Sequence, residues 1–139
     1  MKRRLPREYA FKILFMIEVG KNDPASALSY LFGNDDFSNQ EKLFCRSLVE
    51  GVLEKRGELD KTLSLYLINW QFDRLSAAVR NILRLALYEL LYLGDTPPPV
   101  AINEAIELTK TYQDEEAARF VNGMLDNIWK ANQESKPSG

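Results

Sequence analysis

Between Tyr9 and Val19 only Lys12 and Glu18 are polar. A surface helix needs one apolar stripe, and this segment carries more. Ala10, Ile13, Leu14 and Ile17 form a core face, while Phe11 and Phe15 lie on a neighbouring one. Two readings fit: a helix buried in the middle of a bundle, or a helix whose second face docks a partner. Pro6 stands where a first helical turn tolerates proline, and Gly20 ends the segment. The clearest helix comes later, after Ser76. Val79, Ile82, Leu83, Ala86, Leu87 and Leu90 step along one continuous face. Gly94 and the run Pro97-Pro98-Pro99 stop it.

The remaining punctuation is also helical. Asp23 and Pro24 read as an N-cap and its following proline, and Gly33 closes the short segment behind them. Ser38 and Glu41 have the spacing of a capping box, in which each side chain satisfies the other residue's free backbone N–H. The helix it starts runs toward Gly57, and another covers about Glu58 to Leu67. Beyond the prolines, helices are expected over Ala101 to about Tyr112 and Glu115 to about Ala131, with a polar, frayed tail at residues 133–139. No segment alternates with period two between turn signals. The expectation is an all-α protein of about seven helices.

Composition narrows the chemistry. The 139 residues suit one domain, large enough to bury a core without disulfides or metals. A single cysteine, Cys45, excludes an intramolecular disulfide and suggests a reducing compartment. There is no histidine, which removes the commonest general base and the commonest metal ligand. Asp35-Asp36 and Glu115-Glu116 are adjacent, and adjacent helical residues do not face each other as a catalytic pair. Cys45 sits in an apolar stretch and reads as a buried, inert thiol. The glycines are scattered singly, so no phosphate loop exists. No catalytic residue, metal site or cofactor is expected. No apolar run reaches membrane-spanning length, and Arg7, Glu8 and Lys12 interrupt what a signal peptide would need to keep apolar. A cytoplasmic protein is the simplest expectation.

Charge supplies a positive hint. The net value is −2, but residues 1–12 carry Lys2, Arg3, Arg4, Arg7 and Lys12 against Glu8, giving +4 there and −6 elsewhere. A basic arm on an acidic body suits nucleic-acid contact. Arg80 and Arg84, one turn apart with Tyr88 beyond, are either ion-paired to carboxylates or part of a contacting stripe. Near the end, Val121, Met124, Leu125 and Ile128 already form a core stripe, so Phe120 is expected to be free. An exposed aromatic beside Arg119 is the pairing that single-stranded RNA binders use to stack a base and meet phosphate.

Several motifs in order resemble one family. Residues 100–110 (VAINEAIELTK) and 119–126 (RFVNGMLD) look like the signature of the NusB family, the bacterial transcription antitermination factors. Residues 82–90 (ILRLALYEL) resemble its central helix, and residues 7–14 (REYAFKIL) its first. The resemblance implies an all-α, NusB-like fold of two perpendicular helical sub-bundles, about residues 1–57 and 58–132, ahead of a disordered tail. It implies binding of boxA-type single-stranded RNA together with the ribosomal protein NusE, in an antitermination complex with RNA polymerase and other Nus factors. No cofactor and no catalysis are implied. RNA contacts would fall on Lys2, Arg3, Arg4, Arg7, Glu116, Arg119 and Phe120. Partner contacts would fall on Phe15, Glu18, Arg80 and Arg84, with Phe15 standing where a tyrosine is common and so lacking its hydroxyl. Two alternatives remain. NusB-like domains also begin some ribosomal RNA cytosine methyltransferases, although this chain holds no strand–glycine loop–helix unit for S-adenosylmethionine. NusB relatives can also form homodimers, which the apolar surplus of the first helix would suit.

Overall fold

The computed structural model describes residues 4–33, 37–68 and 71–134. Among them there are six α-helices and no strand: α1 (Arg4–Val19), α2 (Pro24–Phe32), α3 (Asn39–Leu65), α4 (Ala77–Tyr88), α5 (Pro98–Tyr112) and α6 (Glu115–Glu134). A 3-10 turn, Phe72–Arg74, precedes α4, and a π-helical turn, Glu89–Leu93, follows it.

The helix ends are set by local chemistry. Ser38 Oγ accepts from the Glu41 N–H at 3.1 Å, while Glu41 accepts from the Ser38 N–H at 3.0 Å. This is the expected capping box. Asp23, Ser76 and Asp114 cap α2, α4 and α6 through bonds to the N–H groups of Ser26, Val79 and Ala117. Gly94, at φ 73°, takes the left-handed conformation that ends the π turn. Proline at the head of α5 begins that helix instead of delaying it to Ala101, because a first-turn proline has no intrahelical N–H to lose.

The pattern counts about seven helices, and the difference lies at Gly57. The structure runs α3 straight through it. Leu48, Val49 and Val52 on one side and Leu59 and Leu63 on the other are all buried on the same face, whereas Gly57 is exposed. A glycine on the wet side of a helix costs only about 1 kcal/mol. Burial of a continuous face on both sides outweighs that.

Helix α4 is the centre, packing against α1, α3, α5 and α6. Its residues from Asn81 to Leu87 are buried all round, so it is more enclosed than a one-stripe helix. Helix α1 lies against α3 and α4 with a mixed outer side. Phe11 is buried against the Tyr112 ring at 4.8 Å, while Phe15 is half-buried. Gly51 lets α3 approach α4 at Tyr88, since a Cβ there would lie 2.1 Å from the Tyr88 Cζ.

Candidate nucleic-acid and partner interface

The first turn of α1 carries two arginines, and each is gripped by a glutamate distant in sequence. Arg7 is 4 % exposed. Its Nε donates to the two carboxylate oxygens of Glu89 at 3.1 and 2.8 Å, and its Nη2 donates to Oε1 at 2.9 Å. Thr96 closes the group, donating to Glu89 at 3.2 Å and accepting from Arg7 at 3.3 Å. The Arg7 guanidinium also lies 5.5 Å from the Phe44 ring centroid. The resemblance puts Arg7 among the RNA contacts, but the structure places it in the interior. A guanidinium enclosed by Glu89, Thr96 and Phe44, and only 4 % exposed, presents almost no surface to a phosphate.

Arg4 sits one turn earlier and is exposed. Its Nε and Nη2 donate to the two oxygens of Glu104, on α5, at 2.9 and 3.0 Å. The hydrogen bond and charge of Glu104 hold Arg4 firmly protonated, its pKa raised further above an already high value, and Glu107 adds to the same field. Lys2 and Arg3 lie outside the described residues.

At the other end of α1, Glu18 gathers three arginines. Its Oε1 accepts from Arg80 Nε at 3.0 Å and also from Arg80 Nη2. Its Oε2 accepts from Arg84 Nη1 and from Arg56 Nη2, the latter at 3.5 Å. Arg84 continues to Asp60 at 2.7 and 2.9 Å. Burial pushes the Glu18 carboxyl up, but the hydrogen bonds from Arg80 and Arg84 outweigh it and hold the group below the usual carboxylate range. Of the two readings open for Arg80 and Arg84, the structure shows the ion pairs. Arg84 is 3 % exposed and offers no side chain to a partner. Glu18 and Arg80 keep only a partly exposed edge.

Phe15 lies on the wall of an open groove of about 630 Å³ between α1, the start of α4 and the end of α5. Tyr9, Phe11, Ile13, Met16, Ala78 and Tyr112 complete its apolar lining, with Lys12 and Gln113 as polar groups. The Tyr112 hydroxyl donates to Glu8 at 2.9 Å, which fixes one wall. Burial and then the bond to Glu8 hold its proton more tightly than usual.

On α6, Glu116 and Arg119 are exposed. Phe120 is half-buried and packs against the core, where redundancy with Met124 and its neighbours suggested a free ring. Part of the ring remains available for stacking, and part supports the fold. Sequence reasoning missed Glu89, Glu104, Asp60 and Tyr112. Nothing local marks them, because each matters through a residue at least 24 positions away.

The NusB family profile matches residues 4–130. The chain belongs to the NusB family. A NusB relative described as a transcription antitermination protein, from Syntrophomonas wolfei, is 43% identical over 128 residues, covering 92% of this chain and 96% of its own length. The Bacillus pumilus NusB is 44% identical with 92% and 95% coverage. Among solved structures, T. maritima NusB superposes with a TM-score of 0.87 at 39% identity, covering 94% of this chain and 92% of that one. A structure of the antitermination factors NusB and NusE in complex with double-stranded RNA superposes with a TM-score of 0.85 at 29% identity, covering 93% and 96%. No helix among the described residues of this NusB-family chain is long and apolar enough to cross a membrane. No cluster of candidate metal ligands occurs among them either.

Proposed function

We propose that this chain is a transcription antitermination factor that binds boxA-type RNA together with NusE and supports read-through by RNA polymerase, notably in ribosomal RNA operons. It acts by binding, without catalysis. The observation that carries this reading is the shared fold, across nearly the whole chain, with a NusB solved together with NusE and RNA. The surface chemistry agrees with it. The basic arm includes an exposed Arg4, and α6 opens with exposed Glu116 and Arg119 beside the half-buried Phe120. Such a set gives phosphate contact and base stacking, the stacking worth about 1–3 kcal/mol per base.

NusE is the proposed occupant of the groove beside Phe15. The groove's aromatic and methionine lining suits the apolar, desolvated core of a protein interface. Glu18 and Arg80 lie outside the lining of this groove, in a cluster where Arg56, Arg80 and Arg84 face Glu18 and Asp60, so their partly exposed edge offers a partner hydrogen bonds and an excess of positive charge. Fluorescence anisotropy with labelled boxA-type RNA and a scrambled control, with and without NusE, tests the reading. Preference for the boxA-type RNA that strengthens with NusE is expected. Equal affinity for both RNAs in either condition sinks it.

A further inference from the structure

We infer that the Glu104 carboxylate is an internal substitute for RNA phosphate: it holds Arg4 against α5 in the free protein and must be displaced when RNA binds. The inference rests on the RNA-binding reading above and adds a competing contact to it.

Two ion pairs at the head of α1 are alike in chemistry and opposite in setting. Arg7 and Glu89 have side chains 5% and 2% exposed. That pair is dry and closed by Thr96, so it anchors the first turn of α1 against the π-helical turn. Arg4 and Glu104 have side chains 64% and 13% exposed. Here the acceptor is held on α5 while the donor reaches in from solvent. With Arg7 locked, Arg4 leaves Glu104 by side-chain rotation, and the helix stays in place.

The exchange is chemically matched. A guanidinium fork fits a carboxylate and a phosphate in the same two-point geometry. In the free protein Arg4 already occupies that fork on Glu104, with both bonds at or below 3.0 Å. Glu107 adds negative potential to the same spot. An exposed ion pair is only marginally stabilising. A polyanion offering several phosphates to the arm can therefore take Arg4 over, whereas an isolated anion meets a cation already neutralised. The contact thus lowers the affinity of the arm for anions in general and leaves extended RNA able to overcome it.

The test is a double-mutant cycle between Arg4→Gln and Glu104→Gln, read by anisotropy with labelled boxA-type RNA at two salt concentrations. Glu104→Gln is expected to tighten binding about two- to fivefold, the span that an exposed ion pair represents. The gain is expected to shrink at the higher salt and to disappear in the Arg4→Gln background. Thermal melts check that the variants fold. Glu107→Gln, which weakens the same field from an outer position, gives the same sign at smaller size. No tightening by Glu104→Gln overturns the inference. Equal tightening with and without Arg4 also overturns it, since that would reflect only the loss of a negative charge. If the unaltered protein binds boxA-type and scrambled RNA alike, the RNA reading itself fails, and the inference falls with it.

Discussion

Replacing Glu89 by alanine is expected to destabilise the protein by about 3–5 kcal/mol, the cost of removing one partner from a buried ion pair. The local geometry explains why this site belongs at that level. At 2.8 Å the closest Arg7–Glu89 contact represents roughly 6 kcal/mol of attraction at an effective dielectric of 20, before desolvation is counted. Desolvation has already been incurred for Arg7, which is 4 % exposed. Without the carboxylate, the buried Arg7 guanidinium loses its counter-ion, and Thr96, 8 % exposed, loses its acceptor. Glu89→Gln preserves shape and one acceptor, so a smaller loss is expected. Arg7→Met combined with Glu89→Leu removes both charges, and it is expected to be more stable than the Glu89→Ala single variant. Urea denaturation followed by circular dichroism at 222 nm measures each. A Glu89→Ala protein within 1 kcal/mol of the parent, or a double variant worse than Glu89→Ala, would refute the reasoning.

Three further outcomes follow from the packing and the titrating groups. Gly51→Ala places a Cβ 2.1 Å from the Tyr88 Cζ, so a loss of about 1–3 kcal/mol is expected in the same urea assay, partly recovered when Tyr88 is shortened to leucine. Glu18 has a folded pKa held below its ordinary 4.5, so the unfolded chain binds the proton more readily. Its stabilisation is present above that value and is lost as pH falls through the lower folded value; acid titration of stability should show a step that Glu18→Gln lacks. Cys45 is buried and its thiol is pushed up to about 12 from 9.0. The native protein should resist a thiol-specific disulfide reagent at pH 8 until denaturant is added, and its stability should decline as pH rises from 9.0 toward 12.

What could be read from the sequence was local. The capping box at Ser38, the stop at Gly94 and the face from Val79 to Leu90 depend on residues a few positions apart, and the structure has all three. Gly57 was harder, because whether a glycine ends a helix depends on whether the buried face resumes beyond it. Phe120 was harder for a similar reason. Its neighbours Val121, Met124 and Leu125 fill the core, yet the ring still finds a half-buried seat beside them.

The arginines divide by the same principle. Arg7, Arg80 and Arg84 look like candidate contacts in a one-dimensional view, but their carboxylates come from 82, 62 and 66 residues away. No spacing rule reveals those pairings. Tertiary structure turns Arg7 and Arg84 into interior struts and leaves Arg4 on α1 and Arg119 on α6 exposed among the proposed RNA contacts. The proposed RNA surface is consequently smaller than the charge pattern alone suggests.

The most direct measurement of that account is the salt dependence of binding to boxA-type RNA for the parent and the Arg4→Gln variant. Each phosphate contact on a single strand contributes about 0.7 to the slope of log K against log salt. The parent is expected to bind boxA-type RNA in preference to a scrambled strand, and Arg4→Gln should bind more weakly with a slope shallower by about 0.7. An unchanged affinity and slope in Arg4→Gln would contradict the assignment of RNA binding to the N-terminal arm.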